Sequence, residues 1–388
     1  MNILVVATKP LYPVQMGNQR WISEFITQLR NLGHDITYLY IHHTLFRGYS
    51  KDKEQKTLDE AAKQSVANRQ IIYKEPLREV FKISAYSLLN RKLRNGFGGL
   101  DDLYPNGVTK IAKKIIKDYN IEAVVVNYYY LTKLLTKINV PIKALVTHDS
   151  FIYRNKRTGT NTHSLTPNQE AKAMQRANKV LSLQLEESAL FKALAPEAYV
   201  ATLFMPIEYH PSPVANNHNI LYLAGSSEYN INGIKWFISE VLPLIIAKYP
   251  DAKLVIGGGI CKHLPHIGEN ASIVMEGFID DIEAFFKKGD ISINPVYQGS
   301  GLKIKTIESI AYDKVTIVNP HSAEGLLRTD KTPFLDATSP QEWVDEIDKF
   351  WNDKNLIAEY KDRDHQYCKA INRHIEKELN KVFTQQHS

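Results

Sequence analysis

The sequence predicts an α/β protein: two Rossmann-like, doubly wound domains in tandem, their strand ends facing a central cleft. Three observations carry this reading. Apolar, strand-like runs alternate with helix-period segments from Ile3 onward, the same alternation starts afresh at Ile220, and a stretch bearing Pro206, Pro211 and Pro213 separates the two series. The 388 residues exceed one typical core and suit two domains of roughly 150 to 200 residues each. The expected division is 1–205 and 206–365, with a C-terminal helix at about 366–388 able to pack back on the first domain.

Taken in order, Ile3 to Ala7 is a continuous apolar run of strand type, bounded by Lys9-Pro10 and Pro13. Gly17 precedes a helix in which Trp21, Phe25, Leu29 and Leu32 recur at helical spacing, and Gly33 closes it as a C′ residue. Ile36 to Ile41 completes a βαβ unit, so a parallel sheet is expected. The first turn holds Gly17 alone instead of GxGxxG, which argues against a nicotinamide or flavin enzyme. From about His42 to Asn106 the pattern loosens into charged, partly helical sequence. Within it, Glu79 to Gly98 mixes Val80, Phe81, Ile83, Tyr86, Leu88 and Leu89 with Lys82, Arg91, Lys92 and Arg94. Such a basic amphipathic segment suits an anionic lipid surface, an acceptor-binding face or, more simply, a helix packed on its own domain.

Alternation resumes with a helix near Val108 to Tyr119 and strands at Ala123 to Val126 and Ala144 to Thr147. The latter delivers His148-Asp149 at its carboxyl end, where chemistry collects in open α/β sheets, followed by Arg154, Lys156 and Arg157. With a pKa near neutrality, His148 could act as a base or hold a hydroxyl or phosphate; a local capping role is the alternative. Glu170 to Lys179 and Leu185 to Leu194 read as helices around a strand at Val180 to Leu183, before the TLFMP linker.

In the second series, a strand at Ile220 to Ala224 leads through GSSEYNINGIKWF into a helix ending near Tyr249. Ala252 to Ile256 is the next strand, before Gly257-Gly258-Gly259; short strands at Ile273 to Met275 and Ile291 to Asn294 flank a helix near Ile282 to Lys287. NPVYQGSGLKIKTIESIAYDKVTIVNPHSAEGL then reads as a glycine-bearing loop, a helix with Lys303, Lys305 and Glu308, and a strand at Val315 to Val318. The unpaired amides of such a helix start can bind an anion such as a diphosphate. Lys305 and Glu308, three residues apart, share one face. A cation for phosphate beside a carboxylate for sugar hydroxyls suits a nucleotide-sugar; an ordinary strand-to-helix connection with solvated charges is the alternative.

Composition narrows the partners. Lys and Arg total 48 against 42 acids, a net charge of +6 without the dense basic tracts that argue for nucleic acid. The two cysteines, Cys261 and Cys368, lie far apart with no metal-ligand spacing, as in a reduced, cytoplasmic compartment. No basic n-region precedes the short apolar run at the start, and nowhere do about eighteen apolar residues run together. Any membrane contact would then be peripheral, on the inner face.

The second half resembles the group 1, or family 4, glycosyltransferases of GT-B fold. GSGLKIKTIES with its following strand and AEGL is similar to the donor-binding segment of one branch of that family. GSSEYNINGIKWF, the EGFIDD turn and EAKAMQRANKVLSLQLEE support the likeness, which covers most of the chain outside about 41–105. The resemblance implies a nucleotide-sugar held mainly by the second domain, an acceptor held mainly by the first, and no cofactor beyond that co-substrate. Glu308 matches the glutamate that contacts the donor ribose. Ser300, Gly301 and Leu302 match the backbone that meets the diphosphate or donor sugar. Gly17 matches the glycine loop near the donor phosphates, and His148 the histidine of the first domain.

The chain departs from the family pattern at Ser300, where many members carry a glutamate. Ser226, just after Gly225, and Asn232 stand where an Arg and a Lys are usual. A diphosphate leaving group still needs its charge offset, so Lys305, with Lys303 beside it, is expected to supply the cation. Asp313 replaces a glycine after the helix and tolerates the left-handed C′ conformation. Asp101-Asp102 and Asp280-Asp281 read as helix-start acids, so no metal is expected. The resulting expectation is a retaining hexosyltransferase using a UDP- or GDP-sugar. Its acceptor would be a hydroxyl of a glycan or lipid-linked molecule, with Arg154 and Arg157 as acceptor contacts, in bacterial-type surface polysaccharide or glycoconjugate synthesis. A non-catalytic GT-B nucleotide-binding or partner subunit and a sugar-nucleotide epimerase on the same fold are the alternatives.

Overall fold

The computed structural model describes residues 1–12, 17–42, 60, 63, 66–93, 97–158, 164–264, 270–299 and 302–384. The chain divides into two compact units, Met1–Pro206 with His374–Ser388, and Ile207–Arg373. Each is built on one all-parallel sheet.

In the first unit seven strands run in the order β3-β2-β1-β4-β5-β6-β7. β1 (Asn2–Ala7) lies between β2 (Asp35–His42) and β4 (Ala123–Asn127). β5 (Ile142–Val146), β6 (Lys179–Ser182) and β7 (Tyr199–Thr202) extend one side, and β3 (Arg69–Lys74) closes the other. Strands covered on both faces read as unbroken apolar runs, and Ile3, Leu4, Val5 and Val6 are all fully buried. The helix Gly17–Asn31 lays Trp21, Ile22, Phe25, Ile26 and Leu29 inward, and Gly33 follows it at φ 82°.

β3 and β7 are strands where the sequence reading placed loose, partly helical sequence and a linker approach. Both are sheet edges, so neither needed a long apolar run. The helix expected over Glu170 to Lys179 is instead Pro167–Met174, begun by a capping box of Thr166 and Gln169. The basic segment forms the helix Leu77–Leu93.

The second unit carries six strands in the order β10-β9-β8-β11-β12-β13. They are β8 (Asn219–Leu223), β9 (Lys253–Gly257), β10 (Ile273–Gly277), β11 (Ile291–Asn294), β12 (Val315–Val318) and β13 (Phe334–Asp336). Trp343, Phe237, Ile220 and Ile317 are among its fully buried core residues. The last helix, Lys354–Phe383, is longer than expected: its residues to Arg373 belong to the second unit and those from His374 to the first. In both sheets the strand order reverses between the first strand and its neighbour, at β1/β4 and at β8/β11. Ligands of doubly wound sheets bind outside the carboxyl ends of the strands at such a point.

Candidate active site

In the second unit a pocket opens at the carboxyl ends of β8, β9 and β10. Leu223, Ala224 and Gly225 line it from β8, Gly258 and Gly259 from β9, Phe278, Ile279 and Ile282 from beyond β10, and Lys305 and Glu308 from the helix Ile304–Ala311. Gly258 is forced by geometry: its φ is +97°, and a Cβ there would stand 2.4 Å from the Ala224 carbonyl oxygen. At Gly225 a Cβ would meet nothing within 4 Å, so the space beside its backbone is open.

Lys305 is half-buried, and the desolvation of its ammonium pushes it down to about 8, with Glu308 partly offsetting the effect. Its Nζ donates to Asn230 Oδ1 at 2.8 Å, and Asn230 Nδ2 donates to the Gly225 carbonyl at 2.9 Å. Ser227 caps the helix Glu228–Trp236 by accepting from Asn230 N. One asparagine thus ties the cation to the loop after β8. Lys303, at the N-cap position, lies elsewhere, its Nζ 3.2 Å from His321 Nε2. Asp313 adopts φ 63°, the left-handed conformation expected of it.

In the first unit the site-bearing residues follow β4 and β5. His148 sits at φ 64° and Tyr128 at φ 75°, sparsely populated backbone for residues with large side chains. The Tyr128 ring stacks on the imidazole at 4.4 Å and on Tyr130 at 5.5 Å; Trp21 meets the imidazole edge-on at 5.5 Å. Asn18, next to Gly17 at the start of its helix, donates to the Tyr128 hydroxyl at 2.5 Å. Gly17 and His148 are therefore linked through one tyrosine.

The pKa expected near neutrality for His148 is corrected by this environment: burial pushes the imidazole down to about 3. It is neutral at physiological pH and too weak a base to take a proton from an alcohol. The loop after His148 is pinned by two buried carboxylates. Glu187 accepts from Ser150 N at 2.8 Å, and Glu170 accepts from Phe151 N and Ile152 N at 3.0 Å each and from the Tyr129 hydroxyl at 2.8 Å.

Arg154 is half-buried, its guanidinium 4.2 Å from the centre of the Phe151 ring. Arg157 lies in the helix Phe151–Thr158, but its side chain is outside the described residues, as are Ser300 and Gly301 entirely. Leu302 is half-buried ahead of the Lys305 helix, while Gly225 and Ser226 are exposed after β8. Asp281 caps the helix Ile282–Phe286, as a helix-start acid should. Asp101 does not: it forms a bidentate pair with Arg176, at 2.6 and 3.0 Å, in a turn before the helix Asn106–Asp118. Among the described residues no group of three or more His, Cys, Asp or Glu side chains is placed to hold a metal ion.

Sequence reading passed over Asn127, Asn230, Tyr128 and Phe278. Gly257-Gly258-Gly259 was the one visible signal for the β9 wall of the pocket, since successive glycines after a strand mark close backbone approach.

The two all-parallel, doubly wound sheets define the GT-B fold. Solved structures of that fold match the chain almost end to end. Sucrose-phosphate synthase from Thermosynechococcus elongatus aligns at 12% identity over 99% of this chain and 98% of its own, with a TM-score of 0.68. A point mutant of S. aureus TarM in complex with Fondaparinux, alpha-GlcNAc-glycerol and UDP aligns at 12% identity over 99% and 100%, with a TM-score of 0.67. The pneumococcal O-GlcNAc transferase GtfA in complex with UDP and GlcNAc does so at 10% identity over 100% and 99%, with a TM-score of 0.65. At these identities the likeness establishes the fold. Residues 217–353, most of the second unit, match the family described as glycosyl transferases group 1. In sequence it is 21% identical over 349 residues, 84% of each chain, to an uncharacterized 44.6 kDa protein in the cps region of Klebsiella pneumoniae.

Proposed function

We propose that the protein is a glycosyltransferase that moves a hexose from a UDP- or GDP-sugar to a hydroxyl of a glycan or lipid-linked acceptor, with retention, in the synthesis of a surface polysaccharide or glycoconjugate. The single observation that carries the donor assignment is the pocket at the β8–β10 strand ends, where a half-buried ammonium, Lys305, and a carboxylate, Glu308, share one wall. Lys305 offsets diphosphate charge and Glu308 holds the ribose hydroxyls. Gly225, Ser226 and Leu302 present backbone to the donor, and Ser300 and Gly301 are assigned to the same role. UDP is favoured over GDP because the similar TarM and GtfA structures hold UDP. The relative in a cps region supports the polysaccharide setting.

His148 contacts the sugar or acceptor without acting as a base, which agrees with chemistry in which the leaving diphosphate takes the acceptor proton. Arg154 and Arg157 are assigned to the acceptor. With Lys305 and helix-start amides meeting the diphosphate charge, the reaction requires no metal.

A peripheral membrane contact is proposed for the helix Leu77–Leu93. Phe81, Leu88, Leu89 and Leu93 are 63%, 65%, 56% and 74% exposed and recur at the spacing of one helix face, with exposed Lys92 beside them. No helix among the described residues is long and apolar enough to cross a membrane. Substituting serine for Phe81, Leu88 and Leu89 is expected to abolish sedimentation with anionic vesicles while leaving UDP binding intact; unchanged sedimentation refutes the contact.

Thermal-shift screening of UDP, GDP, ADP and CMP tests the donor assignment, because a ligand of the folded state raises the midpoint. A rise with none of them favours the non-catalytic reading. Conversion of a UDP-hexose to its epimer without acceptor favours the epimerase. Transfer that survives chelation, with the product anomeric configuration read by NMR, supports the proposal in full.

A further inference from the structure

The imidazole of His148 is held by a hydrogen bond whose direction can be read. Asn127, the last residue of β4, places Nδ2 3.2 Å from the Val6 carbonyl oxygen on β1. A carbonyl only accepts, so the amide nitrogen of Asn127 has to face it. The Asn127 Oδ1 then faces His148 Nε2, at 2.8 Å. An amide oxygen also only accepts, so Nε2 carries the proton, and on a neutral ring Nδ1 keeps a bare lone pair.

The groups packed around the ring agree with this state. Tyr128 stacks on it and Trp21 meets its edge; Tyr130 stacks behind Tyr128. The Tyr128 phenol is pushed well above its ordinary value by burial, and that of Tyr130 up to about 12, so neither offers a negative charge. Asp149 follows in the chain, but burial alone accounts for the lowered basicity of His148.

We propose that Asn127 is a positioning residue that locks His148 as the neutral Nε2–H tautomer, so that Nδ1 meets substrate only as an acceptor from a hydroxyl group. The ligand class at this point is therefore a sugar or alcohol hydroxyl, and an anionic phosphate oxygen, which also only accepts, is rejected there. The substrate half of this assignment rests on the proposed glycosyl transfer. The tautomer half does not.

The test uses the full chain labelled with 15N-histidine, with His148→Gln to identify the resonance. Long-range 1H–15N spectra of the ligand-free protein are expected to show a protonated Nε2 and a bare Nδ1, unchanged from pH 8 down to 5. A proton on Nδ1, or a doubly protonated ring at pH 7, overturns the lock. Asn127→Asp supplies a carboxylate that favours imidazolium and should bring the titration back toward its ordinary range. Donor turnover by that variant should then fall about tenfold more than wild type between pH 8 and 5.5, following the share of ring left neutral. A wild-type pH profile in Asn127→Asp overturns the substrate contact. Should that variant not fold, Asn127→Ala should show a tautomer mixture, and an undisturbed Nε2–H ring overturns the lock. Absence of any turnover in wild type, with the expected spectrum, refutes the glycosyl transfer reading instead.

Discussion

Lys305 makes a quantitative prediction about protons. In the ligand-free protein burial holds its pKa at about 8. A phosphate charge arriving about 4 Å from the ammonium adds an attraction of about 4 kcal/mol at an effective dielectric of about 20. That attraction exceeds the roughly 3 kcal/mol separating the lowered pKa from an ordinary lysine value, so the bound-state pKa returns to about 10 or above. At pH 9 about a tenth of the free protein carries this proton, whereas nearly all of the complex does. Binding of UDP should therefore take up about 0.8 proton at pH 9, about half a proton at pH 8 and very little at pH 7.

Titration calorimetry in buffers of contrasting ionisation enthalpy reads this count directly. Lys305→Met should abolish the uptake and weaken UDP by about a hundredfold, or about 2.7 kcal/mol. Its fold stability should change by less than about 2 kcal/mol, because removing a costly half-buried ammonium offsets leaving Asn230 Oδ1 without its donor. Binding without proton uptake at pH 9, or uptake that persists in Lys305→Met, refutes the role given to this residue.

Three further outcomes are expected. Glu308→Ala should lower kcat/KM for the donor about 10- to 100-fold, the loss of a charge-assisted hydrogen bond, with an unchanged unfolding midpoint; wild-type turnover sinks the ribose assignment. Gly225→Ala should fold normally yet weaken UDP, whereas Gly258→Ala, at φ +97° and 2.4 Å from a carbonyl, should destabilise the second unit by more than about 2 kcal/mol in a denaturant titration. Asp364, fully buried, has a carboxyl pKa raised well above the ordinary value by burial and by Asp313, against Lys361 and Lys314. A raised carboxyl pKa means stability present below the unfolded value and lost as pH rises toward the folded one, so Asp364→Asn should raise Tm more at pH 8 than at pH 4. A pH-independent difference counts against that assignment.

The central strands of both sheets were legible because a strand buried on both faces needs an unbroken apolar run, as in ILVVA and VTIV. The strands that escaped reading, β3, β7 and β13, are all edges. An edge strand has one partner and a half-solvated flank, so RQIIYK, YVAT and FLD carry little pattern of their own and exist because a neighbour offers a ladder. Lys305 and Glu308 could be placed on one face from spacing alone, since helical geometry is local.

Ionisation states could not be read that way, because charge responds to burial and to partners distant in sequence. Asn230 reaches Lys305 across 75 residues, and Asn127 reaches His148 across 21. The sequence by itself determined the parallel α/β architecture and singled out the residues to which the chemistry is assigned. Only the tertiary structure decided that His148 is neutral and that Lys305 sits at the edge of losing its proton, since desolvation depends on how much protein surrounds a group.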